Sequence, residues 1–428
     1  MKQVSIALLG CGTVGKGVID VLLMNGPIIE EQLNTKITVK RVLVRDINKY
    51  EQMNLPSAIL FTNNFQDIID DEEISLVVEV MGSADFAKEC IEECFKRGKS
   101  VVSANKDLIA DYGIPLLKLS KEKQVDFQFE ASVAGGIPIV RAMYASLNGN
   151  KIDEIIGIMN GTTNYILTQM TCRGITYEEA LREAQVKGYA EADPTNDVSG
   201  YDAARKIAIL GTLGFHSEVT FRDVQVEGIE KITAEDIRNA LEMGYVIKLL
   251  AIARQDKEGI SLNVHPGFIR KTHPLANVAD AYNGICVRGN CVGDVMFYGA
   301  GAGSLPTASA VVSDIMNVVL HEHIGVTGQR DFVSHEAKLK PQASICSPYY
   351  LRLLVQNTTG VLAGIATVLA TYHISIRSLI QKDETADIAE VVLLIDQSSH
   401  CVVQKALKEL SELTCVHTIA NAIRVIEV

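Results

Sequence analysis

Residues 4–24 read VSIALLGCGTVGKGVIDVLLM. Val4–Leu9 is a short, largely apolar run of the kind that forms a buried strand. Gly10, Gly12 and Gly15 follow it as GxGxxG, and Val14–Met24 carries apolar residues at helical spacing up to a predicted stop at Asn25-Gly26-Pro27. In a strand–loop–helix of this kind the glycines permit a tight turn. They also let a pyrophosphate approach the helix N-terminus, where unpaired amides and the helix dipole favour an anion. This marks Gly10, Gly12, Thr13, Val14 and Gly15 as candidate dinucleotide-binding residues. Cys11 inside the loop reads as a small residue filling the turn, with an oxidation-sensitive thiol as the alternative.

Further strand-like runs at Ile37–Val44, Leu76–Val80, Ser100–Ser103 and Val125–Phe129 alternate with helical stretches. Alternation of this kind favours a parallel sheet covered on both faces, so residues 1–130 are expected to form a doubly wound α/β Rossmann domain. After Gly135-Gly136 the pattern changes to a helix at Ile137–Leu147, a strand-like run at Ile152–Met159 and several long helical segments. Thr176 with Glu179 forms a capping-box pattern, and Ser199 with Asp202 resembles one. Strand-like residues at Val287–Tyr298 precede a glycine cluster at 299–303, and a helix at 305–320 is expected to return to the first domain. Residues 131–304 thus read as a second, α+β domain and 321–348 as a polar linker. His321-x-His323 in that linker lacks nearby partner ligands, which favours solvated histidines over a metal pair. Residues 349–428 spell βαββαβ, a ferredoxin-like order.

Composition limits the functions open to the chain. Its 428 residues suffice for two to four domains, and 47% hydrophobic against 21% charged residues excludes disorder. A net charge of −12 argues against a large basic nucleic-acid face, and 6% aromatic residues with no Trp argue against an aromatic-rich recognition surface. The most apolar stretch, Ser5–Leu23, is interrupted by Lys16 and Asp20, so neither a membrane span nor a signal peptide is expected. Nine cysteines without CxxC spacing suit reduced thiols in a cytoplasmic protein, with Cys90 and Cys94 as buried thiols one helical turn apart.

Three constellations carry chemistry. Arg45 and Lys49, after the second strand, would neutralise a 2′-phosphate, whereas Asp46 would bind a ribose hydroxyl pair. Arg45 tilts the reading to NADP(H), with NAD(H) open and solvated surface charges as the alternative. Ser103-Ala104-Asn105-Lys106 follows a strand at the sheet edge where open α/β folds bind ligands. Asp202 and Lys206 share one face of a helix whose other residues are mostly apolar. A surface ion pair is the ordinary reading of such a spacing, but burying the pair is expensive unless it serves a purpose.

Together GCGTVGKGV, SANK, FEASVAGGIPI, IMNGTTNYIL and GYAEADPTNDVSGYDAARKIAIL closely resemble the homoserine dehydrogenase family, over residues 4 to about 320. The tail from Tyr349 resembles an ACT domain, and no aspartate kinase segment precedes residue 1, as in the monofunctional form. The resemblance implies reversible NAD(P)H reduction of L-aspartate 4-semialdehyde to L-homoserine, on the route to threonine, methionine and isoleucine. It implies Lys206 as proton donor and acceptor, Asp202 orienting it and binding substrate, and Lys106 between cofactor and substrate. Glu191 would receive the substrate ammonium, while Ser103 and Gly303 would touch the cofactor. A monovalent cation, usually sodium, would sit on the main-chain carbonyls of Glu130, Val133, Gly135 and Ile137. Residues 131–304 would also be the dimerisation domain. The ACT loop at Asn357, Gly360, Val361 and Leu362 would hold an amino-acid effector, L-threonine, in a homo-oligomer, dimer or tetramer. Thr359 stands where the family often has proline, and a purely structural tail is the alternative. On this reading residues 349–428 are removable without loss of catalysis. Nucleic acid and membrane are excluded as partners.

Overall fold

The computed structural model describes residues 2–51, 55–328, 332–333, 335–383 and 385–427. Part of the 321–348 stretch therefore lies outside the described residues. Strands β1 (Lys2–Leu9), β2 (Thr35–Leu43), β3 (Leu60–Thr62), β4 (Ile74–Glu79), β5 (Ser100–Ser103) and β6 (Phe127–Gln128) form a parallel sheet in the order β3-β2-β1-β4-β5-β6. That is the doubly wound order, with its reversal between β1 and β4. Helix α1 (Thr13–Leu33) does not stop at Asn25-Gly26-Pro27 but continues through Pro27. Proline removes one N–H bond. Burial of Ile29 and Leu33 along the same stripe keeps the next two turns in place. Helices α2 (Ala84–Lys96) and α3 (Lys106–Lys123) cover the β4–β5 side.

The middle of the chain supplies β7 (Ile152–Ile158), α4 (Gly161–Arg173), α5 (Tyr177–Val186), α6 (Tyr201–Phe215), β8 (Gln225–Val226) and α7 (Ala234–Glu242). Strands β9 (Tyr245–Gln255), β10 (Ile260–Arg270), β11 (Tyr282–Gly289) and β12 (Gly293–Ala300) follow. The long β9–β10 pair has no counterpart in the sequence reading, because β9 is apolar on both faces and shows no alternation. The run Val287–Tyr298 is a hairpin, β11 turning into β12. The Thr176–Glu179 capping box forms at the start of α5. Helix α8 (Ser304–Ile324) then returns to the first sheet and packs on α1, where a side chain at Gly17 would strike Ser304 Oγ at 2.7 Å.

Strands β13 (Cys346–Gln356), β14 (Ile376–Asp383), β15 (Ile388–Ser399) and β16 (Val416–Ile426) order as β16-β13-β15-β14. Helices α9 (Val361–Thr371) and α10 (His400–Glu412) complete the ferredoxin-like module. Its sheet is not separate from the middle of the chain. Strand β16 also pairs in parallel with β10, at Gly267–Ile269, so one sheet runs β12-β11-β7-β9-β10-β16-β13-β15-β14.

A buried polar hub reinforces that seam. Arg352 donates to Asp236 on α7 at 2.8 Å, and Tyr350 and Asn421 donate to the same carboxylate at 3.2 and 2.8 Å. Asn239 on α7 donates to Tyr350 and to Glu390. Asp236 is fully buried, and among the described residues its ion-pair partner is Arg352 of the module. Removal of 349–428 would take the Tyr350, Arg352 and Asn421 bonds from this carboxylate and bare the β10 edge. The sequence-based expectation of a dispensable tail conflicts with that arrangement. Arg352→Met is expected to cost about 3–5 kcal/mol, the range for breaking a buried pair on one side. Arg238→Met, at the exposed Arg238–Glu235 pair, should leave the denaturation midpoint almost unmoved. Denaturant titration of the two variants checks the contrast.

Candidate active site

The reversal in strand order places the N-terminus of α1 and the carboxyl ends of β4 and β5 along one crevice. Gly10 has φ +101° and donates its N–H to Leu43 O at 3.0 Å, which turns the chain sharply out of β1. A side chain at Gly15 would overlap the Gly10 carbonyl oxygen, whereas one at Gly12 would meet nothing within 4 Å. The first turn of α1 has no side-chain cap, so its amides are left for a ligand. The loop therefore has the open cradle that a pyrophosphate needs. Thr13 is exposed there, and its carbonyl accepts from Ser304 Oγ at 2.8 Å, which ties Gly303 and the late glycine stretch to the phosphate loop. Arg45 and Asp46 both lie exposed just after β2, and Asp46 accepts from the Asn48 amide. Cys11 is buried, and burial raises its thiol, which favours the filler reading.

Ser103 faces inward. Its hydroxyl donates to Glu79 at 2.6 Å, and Glu79 also accepts from the Met81 amide at 2.7 Å. Burial pushes the Glu79 carboxyl up to about 7. Glu79 was not singled out in the sequence, because an acid ending a strand looks like any surface acid. Asn105 caps α3 by accepting from Leu108, so Lys106 opens that helix at the rim of the crevice.

Helix α6 brings Asp202 and Lys206 to the same place. The Ser199–Asp202 cap does not form; Gly200 occupies the cap position and Asp202 turns inward. Asp202 Oδ2 accepts from Lys206 Nζ at 2.7 Å and from Asn160 Nδ2 at 2.9 Å. Its other oxygen, Oδ1, pairs with Lys106 Nζ at 2.8 Å. Burial works to raise the Asp202 carboxyl, but Lys206, Lys106 and Asn160 together outweigh it and hold the group well below the usual carboxylate range. For Lys106 burial works downward, and Asp202 outweighs it to give a net rise. Lys206 Nζ also donates to Met159 O at 2.8 Å. Two of its three N–H donors are thus fixed, and the third is left for an incoming oxygen.

Asn160 links the pieces. Its Oδ1 accepts from Thr163 at the start of α4, while its Nδ2 donates to Asp197 at 2.7 Å as well as to Asp202. Asn160 and Asp197 both lie in the motifs quoted above, yet residue type alone does not show a cap and a carboxylate clamp in one side chain. Arg205 pairs with Asp107 at 2.8 Å and docks α6 onto α3. Glu191 lies exposed on the loop between α5 and α6, anchored nearby by Thr162 donating to Tyr189 O, and among the described residues no hydrogen bond or ion pair joins its carboxylate to the Asp202 cluster.

The turn holding Glu130, Val133, Gly135 and Ile137 is buried, and both Ala134 and Gly135 have left-handed backbone. The Glu130 side chain accepts from the Val140 and Arg141 amides, and burial pushes it up to about 7. Its carbonyl accepts a long 3.4 Å bond from Val133, and Ile137 O accepts from Ile139. Among the described residues no His, Cys, Asp and Glu cluster suits a metal, and His321 and His323 part company, to Asp126 and Thr35. In the C-terminal module, Asn357, Gly360, Val361 and Leu362 line a cavity of about 430 Å³. Val361 points its side chain into the module core and Leu362 stays exposed. No helix among the described residues is long and apolar enough to cross a membrane.

Family models match three stretches: the homoserine dehydrogenase NAD-binding domain at 10–130, homoserine dehydrogenase at 138–316 and the ACT domain at 349–413. The homoserine dehydrogenase of Bacillus subtilis is 41% identical over 99% of both chains. The crystal structure of a homoserine dehydrogenase from Thiobacillus denitrificans superposes with a TM-score of 0.94 at 39% identity, covering 100% of this chain and 99% of that one. A hyperthermophilic archaeal homoserine dehydrogenase in complex with NADPH matches 74% of this chain and 98% of its own, with a TM-score of 0.64 at 27% identity.

Gly12 and Gly15 have separable jobs. Gly12→Ala should leave the melting temperature unchanged and weaken NADPH binding at least tenfold, because only the ligand's space is filled. Gly15→Ala should lose about 1–3 kcal/mol of stability as well, the usual range for overpacking. Thermal unfolding paired with NADPH fluorescence titration reads both.

Proposed function

The chain belongs to the homoserine dehydrogenase family, an NAD(P)-dependent group of oxidoreductases, and on that premise we propose that Lys206 is the proton donor in the reversible reduction of L-aspartate 4-semialdehyde to L-homoserine. The observation that carries this reading is the Lys206 ammonium, with two donors fixed on Asp202 and Met159 and one left over. When bound, the dihydronicotinamide supplies the hydride to the aldehyde carbon. As negative charge develops on the adjacent oxygen, the free N–H of Lys206 stabilises it and then delivers the proton. In the reverse direction the same Nζ takes up the proton of the substrate hydroxyl as the hydride leaves for the oxidised cofactor. Lys106, on the other oxygen of Asp202, adds positive charge at the rim where cofactor and substrate meet. Glu191 is the candidate for the substrate ammonium, reaching it through the mobility open to an exposed loop side chain.

Arg45, exposed after β2, favours NADP(H) by neutralising a 2′-phosphate, with NAD(H) also accepted. Ser103 acts on the cofactor through its backbone, its hydroxyl being held by Glu79. The carbonyls of Glu130, Val133, Gly135 and Ile137 suit a sodium ion, since hard cations prefer oxygen donors and this turn is buried and left-handed. The cavity at Asn357–Leu362 suits L-threonine as a feedback effector. A homo-oligomer would cover the exposed Tyr282–Tyr298 stack on β11 and β12. Nine free thiols fit the cytoplasm.

The test is NADP⁺ reduction that depends on L-homoserine. Lys206→Ala should lower kcat by about 10²–10⁴-fold, the usual worth of a positioned general acid–base, with NADPH affinity unchanged. Turnover within a few-fold of the parent would refute the assignment. For regulation, Leu362→Glu should abolish inhibition by added L-threonine at unchanged kcat, whereas a full-strength inhibition curve in that variant would point to a structural module.

A further inference from the structure

Strand β10 lends its outer edge to two short parallel ladders. Strand β8 pairs it at Asn263 and Val264, and β16 pairs it at Gly267–Ile269. Between the two ladders His265 and Pro266 have no strand on that edge, and a cavity of about 230 Å³ opens there. Glu227, Asn263 and His265 line it from the catalytic part of the chain, and Gln342, His400 and Arg424 from the C-terminal part.

The hydrogen bonds fix what these walls offer. His265 is 4% exposed, and its Nδ1 lies 2.8 Å from the Pro266 carbonyl, which only accepts. Nδ1 therefore carries the proton, and Nε2 is a lone-pair acceptor with no protein partner among the described residues. Burial, then Arg424, holds this imidazole neutral. His400 has the opposite tautomer. Its Nδ1 faces Tyr349 Oη at 2.9 Å and a terminal nitrogen of Arg424 at 3.5 Å. Arginine only donates, so Nδ1 accepts and Nε2–H is the free donor. The other terminal nitrogen of Arg424 donates to Glu227 at 3.0 Å, leaving further guanidinium donors unused. The cavity thus combines a cation and a neutral donor with an anion and a neutral acceptor.

We propose that this seam binds a small zwitterion of the α-amino-acid class, with its carboxylate on Arg424 and His400 and its ammonium on Glu227 and His265. Glu227 disfavours a phosphate and Arg424 a metal ion, and the space is below the usual size for a nucleotide. The site is distinct from the loop cavity at Asn357–Leu362, and the proposal stands without the threonine reading of that loop.

The experiment uses the full chain carrying Leu362→Glu, which sets a carboxylate against the loop cavity, and calorimetric titration with glycine, L-serine, L-threonine and L-methionine. At least one should bind, and adding Gln342→Trp, which fills the seam from an exposed turn, should weaken it tenfold or more at an unchanged melting temperature. Arg424→Gln should weaken binding by a similar factor, and the amide of the bound amino acid, lacking the carboxylate, should not bind. The proposal is overturned if none of the four binds to the Leu362→Glu chain, or if affinity survives Gln342→Trp.

Discussion

One carboxylate holds together ammonium groups that arrive from different parts of the chain. Asp202 gives one oxygen to Lys206 on its own helix and the other to Lys106 at the edge of the first sheet. A buried charge left half neutralised costs several kcal/mol, so the cluster holds only when α3 and α6 are docked in register. Arg205 with Asp107 makes the same docking a second time at the surface. The cofactor crevice and the Lys206 ammonium are therefore positioned by one interaction. Asn160 extends its reach by fixing the start of α4 to the same carboxylate.

The same logic explains why the chain returns to its beginning after 300 residues. The phosphate loop has to stay open at Gly12, so it cannot be braced by side chains of its own. Helix α8 braces it from behind through the close approach at Gly17 and the Ser304 bond to Thr13. The glycine stretch at 299–303 is thereby carried to the mouth of the cofactor crevice.

Much of this was legible in the sequence. The first sheet could be read because its strands are short apolar runs separated by helices, and the ferredoxin-like tail because its six elements follow one another with clear boundaries. The Asp202–Lys206 pair could be read because a charged pair in an otherwise apolar helix demands a reason. What escaped was non-local. Pro27 marks a stop only when nothing beyond it is worth burying, and Ile29 and Leu33 are. Strand β9 lacks alternation because both its faces are covered. Glu79, Asn160 and Asp197 owe their roles to partners between 24 and 42 residues away, which no local pattern encodes.

The joining of β16 to β10 limits how the C-terminal module can act on the site. Undocking it would expose Asp236, Arg352 and the β10 edge together. Undocking would also bare the apolar contacts of Tyr350, Val392, Ile423 and Val425 with the main core, whereas coupling between an effector and a distant site is typically about 1–3 kcal/mol. A ligand of ordinary affinity difference therefore cannot work by releasing the module. It has to bias small shifts within the docked state, along β10 and the helices packed on its sheet. Strand β10 is well placed for that, because β16 rests on its edge while α6, with Asp202 and Lys206, packs against its face.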